Sequence, residues 1–373
     1  MKKTIAVGLL LALALLIAAE PADYLLYVGT FTTEANGSKG IYAYRFHDGK
    51  LTALGLAAES LNPSFLVVHP NHRYLYAVNN NRGLPENTVS AFSIDRKSGK
   101  LALLNKVDSR GEGPAHAALD HTAKWLAVTN YGTGTVAILP VMADGKLGSA
   151  MAVDQHEETG SNRQPRAHMA LFSADNRFLL VADVGIDRVY AYKFDATKGT
   201  IAPGNPAFVT VARDSGARHI AWSQDGSALF VVTERGSTVE AFRYTASTGA
   251  LSPLQTISTL PAGYTGRNSG AEIAVGPSGR FVYASNRGHD SIAVFSINPA
   301  DYKLRLVEHV STRGKTPRNF AFDPTGAYLV AGNEGSSSLA VFRANGETGA
   351  LTPMGDVVTG ALAPACLLFV PAN

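Results

Sequence analysis

One short β-branched and aromatic motif recurs seven times along the chain, and this repeat constrains the fold more strongly than any other feature of the sequence. Residues of these types favour strands, so each copy predicts a strand. Six copies lead into a turn that carries a glycine, which is typical of a β-hairpin; the copy that begins at Ile292 is followed by DYKL at 301–304 instead. The copies are IYAYRF from Ile41, VSAFSI from Val89, VAILPV from Val136, VYAYKF from Val189, VEAFRY from Val239, IAVFSI from Ile292 and LAVFRA from Leu339.

Two further apolar stretches separated by a turn lie ahead of the motif, as in FLVVHPNHRYLYAVNN and IAWSQDGSALFVVTE. A repeat of about 50 residues with four strands is typical of the blade of a β-propeller. The last unit is split, because ACLLFV at 365–370 ends the chain with one strand and YLLYVG at 24–29 supplies the strand that would follow it. We therefore expect an all-β, single-domain, seven-bladed β-propeller over residues 24–373, with four-stranded blades and a ring closed by pairing of the two terminal strands.

The first residues have the parts of a secretory signal peptide. Two lysines precede an uncharged apolar run over 5–19, and Glu20 and Pro21 follow it. This pattern predicts a signal peptide over 1–19 and export to the periplasm or out of the cell. The alternative is a retained membrane anchor, but the run is shorter than the roughly 20 residues that a spanning helix needs, so we expect no stable membrane span once the leader is cleaved.

The charge and the cysteine content argue against nucleic-acid binding, an intramolecular disulfide and a catalytic thiol. Lys and Arg number 33 against 30 Asp and Glu, a formal net charge of +3, whereas nucleic-acid binding needs a concentrated basic surface, so we expect no nucleic-acid partner. The single cysteine, Cys366, excludes an intramolecular disulfide. Its position in the apolar string CLLFV predicts a buried residue rather than a catalytic thiol.

Polar side chains interrupt the apolar pattern at two points of the repeat. In a propeller the first strand of each blade lies innermost, so its start is at one mouth of the central channel, and the end of the second strand returns to the same rim. The two columns at the start of the first strand read Ser64, Ala115, His168, Arg218, Ala271, Arg318, Ala365 and Phe65, His116, Met169, His219, Glu272, Asn319, Cys366. The two columns at the end of the second strand read Asn79, Asn130, Asp183, Thr233, Asn286, Asn333 and Asn80, Tyr131, Val184, Glu234, Arg287, Glu334.

Four of these residues fall on three consecutive blades at one rim, and they are the candidate catalytic residues: His168, Glu234, Arg218 and Arg287. Charged groups that face inward are costly unless they are paired or used, and a structural ion-pair network is the alternative explanation. The candidate substrate-binding residues from the same columns are His116, His219, Glu272, Asn286, Arg318 and Asn319. His116 and His219 are explained equally well as structural histidines that are hydrogen-bonded in a wet channel. An asparagine at a strand end, such as Asn286, is more typical of a turn.

Nearly the whole chain from Tyr27 onwards resembles the lactonase family of seven-bladed propellers, which includes propeller-type 6-phosphogluconolactonases and fungal carboxy-muconate lactonizing enzymes. The strings that carry the resemblance are YVGTF, NPSFLVVHP, NYGTGTVAILPV, RQPRAHM, ARHIAW, VVTERGSTVEAF, AEIAVGPSGRFVYASNRGHDSIAVF and TPRNFAFDPTG, and YASNRGHDSIAVF is especially specific. The resemblance implies that a lactone ring is opened or closed at the channel mouth, without a required metal or organic cofactor.

The resemblance also implies roles for the four residues already selected from the columns. The family's histidine, first arginine, glutamate and second arginine match His168, Arg218, Glu234 and Arg287. The sequence departs from the family in two places: Arg166 stands where a second histidine is usual, and Ala217 replaces the usual proline before the Arg-His pair. Because Arg166 adds a potential anion-binding group, the first departure bears on the choice of substrate.

These observations predict a lactonase that opens a sugar-acid lactone carrying an anionic group. Direct attack by water is favoured because the chain has no G-x-S-x-G nucleophile motif. His168 or Glu234 would take the proton of the water, in an order that the sequence leaves open, and the arginines would hold the oxyanion and the anionic group of the substrate. Because phosphorylated sugar lactones are cytosolic, export makes a non-phosphorylated aldonolactone or another carboxylated lactone a candidate substrate beside the phosphorylated one. The alternatives are a muconate-type lactonizing cycloisomerase and a non-catalytic binding propeller.

Overall fold

The computed structural model describes residues 23–33, 35–81, 86–158 and 162–372. These residues form seven antiparallel sheets of four strands each, which confirms the predicted all-β propeller and its blade. The predicted signal peptide over 1–19 lies outside the described residues. Within the described part of the chain, no helix has the length and hydropathy of a membrane span.

The blades are numbered here by the order of their innermost strands, and blade 7 contains both ends of the described chain. Blade 7 consists of β1 (Tyr24–Thr30), β2 (Gly40–His47), β3 (Lys50–Glu59) and, from the end of the chain, β28 (Pro364–Pro371). Blades 1 and 2 are β4 (Pro63–Val68), β5 (Tyr74–Asn79), β6 (Thr88–Ile94), β7 (Leu101–Asp108) and β8 (Pro114–Leu119), β9 (Trp125–Asn130), β10 (Thr135–Pro140), β11 (Ala152–Gln155). Blades 3 and 4 are β12 (Ala167–Phe172), β13 (Phe178–Asp183), β14 (Arg188–Asp195), β15 (Thr200–Thr210) and β16 (Ala217–Trp222), β17 (Ala228–Thr233), β18 (Thr238–Thr245), β19 (Ala250–Ser258). Blades 5 and 6 are β20 (Ser269–Val275), β21 (Phe281–Arg287), β22 (Ser291–Ile297), β23 (Leu304–Ser311) and β24 (Pro317–Phe322), β25 (Tyr328–Asn333), the short 3₁₀ helix η1 (Glu334–Ser336), β26 (Ser338–Ala344), β27 (Leu351–Thr359).

The ring closes through blade 7, as the split repeat predicts. Strand β1 pairs with β2 on one side and with β28 on the other, so that Tyr27 lies opposite both Ala43 and Leu368. The seven innermost strands β4, β8, β12, β16, β20, β24 and β28 contact one another in order around the channel, and β28 contacts both β24 and β4. The two ends of the described chain are therefore joined by a sheet rather than by a loop.

Packing between neighbouring blades supplies the core. The second strands, such as β5, β13 and β17, are buried at every residue, whereas the outermost strands, such as β15, alternate between exposed and partly buried positions. The described residues form seven clusters of buried apolar side chains, one at each interface between adjacent blades. Sheets covered on both faces lose the alternating pattern of a half-exposed strand, which explains the nearly continuous apolar runs in the sequence.

The repeated glycine of the outer hairpin has a packing reason. Gly199 and Gly249 have φ angles of 67° and 79°, which favour glycine. A Cβ atom at either position would also meet the aromatic ring that begins the second strand of the preceding blade, Trp125 and Phe178 respectively. The hairpin turn of one blade thus packs on its neighbour, and a side chain there would push the two blades apart.

Blade 2 departs from the repeat at its outer edge. The sequence predicts an outer strand directly after the turn at Gly145, but Leu147 forms only an isolated bridge with Val141, and β11 begins five residues later with a length of four residues. Pro140, at the end of β10, has no N–H group for a longer ladder. Gly148 donates its N–H to the carbonyl of Pro140 instead, so the chain loops outwards before it can pair.

Cys366 is buried, as predicted. It is 2% exposed in β28 and packs in the interface between blades 7 and 1. Burial raises the pKa of its thiol to about 12. A thiol that stays protonated is a poor nucleophile, so Cys366 acts as a small core residue.

Candidate functional site

A β-bulge near the start of each innermost strand orients the side chains of the site. In blade 3, Ala167 pairs with Asp183 and Met169 with Ala182, so His168 is an extra residue in its strand. Arg218 is the extra residue of blade 4 in the same way. Bulges re-aim side chains, and here they do so at the channel mouth. The corresponding residues of the other blades are Ser64, Ala115, Arg318 and Ala365, and in blade 5 the irregularity spans Ala271 and Glu272.

The columns predicted from the repeat converge on one cavity of about 320 Å³ at this mouth. Its lining has three parts, each from one position of the repeat. The bulge position contributes Ser64, Ala115, His168, Arg218, Arg318 and Ala365; the next position contributes Phe65, His219 and Asn319; and the position after the second strand contributes Phe31, Asn80, Tyr131, Glu234 and Arg287.

Two arginines from neighbouring blades bind one carboxylate in the wall of the cavity. Arg218 Nε donates to Glu234 Oε2 at 3.0 Å, and Arg287 Nη2 lies 3.2 Å from the same oxygen. Backbone carbonyls fix both guanidinium groups: Arg218 Nη1 donates to the carbonyl of Ala271 at 2.6 Å, and Arg287 Nη2 donates to that of Gly270 at 3.0 Å. Both guanidinium groups are thus held in place, and among the described residues each keeps N–H donors that are free to bind a ligand.

A third arginine gives the cavity a surplus of positive charge. Arg318 Nη1 lies 3.4 Å from Glu334 Oε2, and its guanidinium carbon lies 4.7 Å from the centre of the Phe31 ring. Three of the lining residues are arginines and one, Glu234, is a carboxylate. Planar guanidinium groups with spare donors suit a carboxylate, a phosphate or a developing oxyanion.

The ionisable groups shift one another's pKa values in a consistent direction. Burial and the charges of Arg218, Arg318 and Arg287, together with nearby His219, hold the pKa of His168 well below its usual value. Burial would raise the pKa of Glu234, but the same three arginines outweigh it, and the pKa is lowered. Burial beside Arg287 and Arg318 lowers the pKa of Arg218 to about 9. Near neutral pH, His168 is therefore neutral and Glu234 is ionised.

The inner end of the cavity is formed by a hydrogen-bonded group of buried side chains. His219 Nδ1 lies 3.0 Å from Glu272 Oε1, and Asn319 Nδ2 donates to Glu272 Oε2. The ring of His219 contacts those of His168 and His116, with centres 5.0 Å and 5.8 Å apart. Burial raises the pKa of Glu272 to about 7, although Arg218 opposes the shift.

Three buried nitrogen atoms of this region have no hydrogen-bond partner among the described residues: His168 Nδ1, His219 Nε2 and Arg287 Nε. A buried polar atom without a partner costs free energy, so such atoms call for an explanation. All three atoms belong to residues that line the cavity, so a ligand bound there would lie beside them. Within the described ranges, no group of three or more His, Cys, Asp or Glu side chains is arranged to hold a metal ion.

Comparison with known families agrees with this geometry. The family described as "Lactonase, 7-bladed beta-propeller" matches residues 25–369, which is nearly the whole described chain. The chain belongs to this lactonase family. This confirms the family resemblance and, at the level of the family, the prediction of a lactone-hydrolysing enzyme.

Named relatives and solved structures match 80–94% of the chain. The 6-phosphogluconolactonase of Bacillus subtilis is 35% identical over 358 residues, which are 93% of this chain and 98% of the relative. The 6-phosphogluconolactonase of Formosa agariphila is 34% identical and covers 80% of this chain and 86% of its own. Among solved structures, the periplasmic gluconolactonase of Pseudomonas aeruginosa superimposes with a TM-score of 0.87 at 31% identity, covering 94% of this chain and 100% of its own.

Most residues selected from the sequence of this lactonase-family chain meet at the cavity. The lining includes His168, Arg218, Glu234, Arg287, His219, Arg318 and Asn319. Glu272 lies behind His219 and Asn319, and the ring of His116 contacts that of Phe65 at a tilt of 41°, with ring centres 4.0 Å apart. Arg166 lies at the rim, where its guanidinium carbon is 4.9 Å from the centre of the Tyr131 ring.

Asn286, like His116, Glu272 and Arg166, does not line the cavity, and its partner Thr259 lies in a loop rather than among the lining residues. It is fully buried, donates to the carbonyl of Thr259 at 2.8 Å and accepts from the Thr259 hydroxyl at 2.7 Å. Asn130 and Asn333 bind loop carbonyls in the same way, at Ser109 and Thr312. The asparagine at this strand end therefore anchors the loop between blades, and the turn interpretation is the better one.

Seven lining residues were not selected from the sequence: Phe31, Ser64, Phe65, Asn80, Ala115, Tyr131 and Ala365. Asn80 and Tyr131 belong to the same column as Glu234 and Arg287, but they carry no charge and were not selected. Phe31 follows β1, whose last residue Thr30 pairs with Pro364 as Asn79 pairs with Pro63. It is the seventh member of that column, and the split of blade 7 between the chain ends hides it.

Proposed function

We propose that the chain hydrolyses a sugar-acid lactone in this cavity by direct attack of water on the ring carbonyl. The observation that carries the proposal is the lining itself, in which three arginines and one carboxylate stand beside ring nitrogens without partners. Hydrolysis of a lactone needs a group to stabilise the tetrahedral oxyanion and a group to move one proton. The cavity offers both.

Arg218 and Arg287 are suited to the oxyanion. Both are held by backbone carbonyls and by Glu234, so they need little rearrangement when charge develops on the carbonyl oxygen. Arg318 is suited to the anionic or polyhydroxyl part of the substrate. Arg166, at the rim beside Tyr131, adds a further cation at the entrance.

Proton transfer completes the reaction. The oxygen of water bonds to the carbonyl carbon, the bond from that carbon to the ring oxygen breaks, and the proton released by water is delivered to the ring oxygen, which becomes a hydroxyl. His168 and Glu234 are both in a proton-accepting form near neutral pH because their pKa values are lowered. Either can take the water proton or hold the water in place, and we propose that turnover requires both.

The substrate that we propose is a sugar lactone without phosphate, met outside the cytoplasm. The apolar run over 5–19 supports export, and the similar protein from Pseudomonas aeruginosa is named as a periplasmic gluconolactonase. The Bacillus subtilis relative is named as a 6-phosphogluconolactonase, so the phosphorylated lactone is the comparison substrate.

A hydrolysis assay on a panel of lactones tests the proposal. The panel contains a non-phosphorylated aldonolactone, its 6-phosphorylated form, a muconolactone and a simple alkyl lactone. We expect the aldonolactone to give the highest kcat/KM, and we expect His168→Gln and Glu234→Gln each to lower turnover by roughly 100-fold while the protein remains folded.

Three outcomes would contradict parts of the proposal. Preference for the phosphorylated lactone would overturn the substrate, and interconversion of muconate and muconolactone without sugar-lactone hydrolysis would favour the cycloisomerase. Near-normal hydrolysis by both variants with a large fall in melting temperature would show that His168 and Glu234 only belong to a structural ion network, in which an unpaired buried charge costs about 3–5 kcal/mol.

A further inference from the structure

One histidine at the cavity has a carboxylate partner that the other cavity histidines lack. His219 lines the cavity and is 3% exposed, and its Nδ1 lies 3.0 Å from Glu272 Oε1. Its other nitrogen, Nε2, has no partner among the described residues. A carboxylate that accepts the Nδ1 proton fixes the tautomer of the ring and leaves a lone pair on Nε2.

The surroundings of Glu272 fix it as a hydrogen-bond acceptor. The backbone N–H of Ile273 donates to Oε1 at 3.0 Å, and Asn319 Nδ2 donates to Oε2. The orientation of the Asn319 amide is settled by its other end, since Oδ1 accepts the backbone N–H of Leu367 at 2.8 Å. With a donor on each oxygen, Glu272 is arranged to receive the Nδ1 proton of His219.

We propose that His219, oriented by Glu272, is a further acid–base residue of this site and exchanges a proton with the reacting oxygen atoms through Nε2. This inference rests on the lactone hydrolysis proposed above. Nothing in the family resemblance or in the names of relatives assigns a role to either residue. In this assignment Glu272 is a positioning residue, because it acts on the substrate only through His219.

The comparison with His168 and Glu234 supports this assignment. Burial and the same three arginines lower the pKa of both His168 and His219, but Nδ1 of His168 has no hydrogen-bond partner among the described residues, whereas Nδ1 of His219 lies beside a carboxylate. Glu234 already binds two guanidinium groups through Oε2. His219 is the lining histidine with a hydrogen-bonded carboxylate, which can stabilise the imidazolium that forms when Nε2 takes a proton.

The proton balance of the step is simple. As the water oxygen bonds to the carbonyl carbon, its proton moves to Nε2, and the imidazolium is paired with Glu272. As the bond to the ring oxygen breaks, the same proton passes from Nε2 to that oxygen, and His219 is neutral again. This step narrows the roles proposed above: His219 takes the water proton, His168 holds the attacking water, and Glu234 keeps Arg218 and Arg287 in place.

The charged groups around His219 come from five blades and set the pH range of the step. Burial and the charges of Arg218, Arg318 and Arg287 hold the pKa of His219 well below its usual value, and Glu234 opposes them. His116 and His168 face it with neutral rings. Burial raises the pKa of Glu272 to about 7. Below that pH a protonated Glu272 would donate to Nδ1, and Nε2 would carry a hydrogen and lose its accepting role.

The test compares two matched histidine variants on the full chain. His219→Asn keeps an amide near the position of Nδ1, so it can still bind Glu272, but it removes the atom at Nε2. His156→Asn makes the same change at a second buried histidine that pairs with a carboxylate, Asp183, and does not line the cavity. We expect His219→Asn to lower kcat for the aldonolactone by roughly 100-fold or more and His156→Asn to change it by less than about 3-fold, with both proteins folded.

A second variant keeps the inference testable if His219→Asn does not fold. In the wild type, kcat/KM should rise with pH through about 7, the pKa of Glu272, after subtraction of uncatalysed hydrolysis. Glu272→Gln should abolish this rise of kcat/KM with pH and should also lower kcat. A wild-type protein that opens no lactone would overturn the proposed function and this inference together. An active wild type with nearly unchanged His219→Asn turnover, or an unchanged pH limb in Glu272→Gln, would overturn this inference alone.

Discussion

Two groups of charged residues at the same end of the propeller use the same residue types in different ways. The cavity combines arginines, Glu234 and the His219–Glu272 pair. A second group, called the loop cluster here, consists of His156, Arg163, Asp183, Asp187 and Arg235 and belongs to blades 2, 3 and 4. None of its members lines the cavity.

The partners of the carboxylates distinguish the two groups. In the loop cluster they accept mainly backbone N–H groups: Asp183 Oδ1 accepts from Arg166 and Gly185, both at 2.8 Å, and Asp187 accepts from Asp214 at 2.6 Å and Gly216 at 2.7 Å. In the cavity, Glu234 binds guanidinium groups from two blades. A carboxylate that binds backbone N–H groups fixes a loop, whereas a carboxylate that binds guanidinium groups in a cavity wall holds those groups ready for a ligand.

The two histidines show the same difference. The ring of His156 stacks on Tyr190 with centres 3.9 Å apart, and its side chain is fully buried, so no ligand can reach Nε2. The ring of His219 borders the cavity. Pairing of a histidine with a carboxylate is therefore not sufficient evidence of a catalytic role, and access to the free nitrogen decides between the two explanations.

Removal of a carboxylate from the loop cluster should give the largest effect that we predict, a fall in the free energy of unfolding. Asp183→Ala leaves three backbone N–H groups without an acceptor, those of Arg166, Gly185 and Ile186. Each unsatisfied buried donor costs about 1–3 kcal/mol, so we expect the free energy of unfolding to fall by about 3 kcal/mol or more. Chemical denaturation measures it. Unchanged stability of Asp183→Ala would contradict the structural role that we give to the loop cluster.

An arginine-to-lysine change should separate the groups by activity rather than by stability. Arg287→Lys keeps the charge but loses the planar fork that can bind an anion at two points. Charge-assisted hydrogen bonds contribute about 1.5–3 kcal/mol, so we expect kcat/KM to fall roughly 10- to 100-fold, nearly as far as in Arg287→Ala.

Arg235→Lys is the matched control for this change. Arg235 also binds a carbonyl and a carboxylate, those of Val184 and Asp187, but outside the cavity. We expect its kcat/KM to remain within about 3-fold of the wild type. Should Arg287→Lys retain most of the activity, Arg287 supplies only a local positive charge.

The fold could be predicted from the sequence because every blade repeats the same pattern of apolar residues, which must be buried against the neighbouring blades. Seven apolar motifs at similar spacing require seven similar interfaces, and the half-units at the two ends have no other partner than each other. What the repeat could not predict is the outer edge of blade 2, where β10 ends at Pro140, the N–H of Gly148 binds the carbonyl of Pro140, and the outer strand begins only at Ala152. Outer strands contribute little to the core, so their apolar pattern is weak.

The cavity could be predicted in part, because charged residues stand out against an apolar column. His168, Arg218 and Arg318 were visible for this reason. The bulges that point them at the channel were not visible, since a bulge depends on pairing with the second strand rather than on local residue types. The strand-end asparagines were already better explained by turn chemistry than by binding, and the contacts of Asn286 with Thr259 agree with that explanation.

The smallest effect that we predict is a pH dependence of stability that comes from Glu272. Burial raises the pKa of Glu272 from an ordinary value of 4.5 to about 7, so between these values the folded protein binds more protons at this site than the unfolded chain does. The contribution of Glu272 to stability therefore falls as the pH rises through this window. Glutamine does not titrate, so the melting temperature of Glu272→Gln minus that of the wild type should increase by a few degrees from pH 5 to pH 8. Glu234→Gln is the control: the pKa of Glu234 is lowered rather than raised, so its difference from the wild type changes below about pH 4.5 and stays flat between pH 5 and pH 8. A flat difference for Glu272→Gln as well would mean that the carboxyl is already ionised at pH 5, and the acid limb predicted for lactone hydrolysis near pH 7 would then need another group.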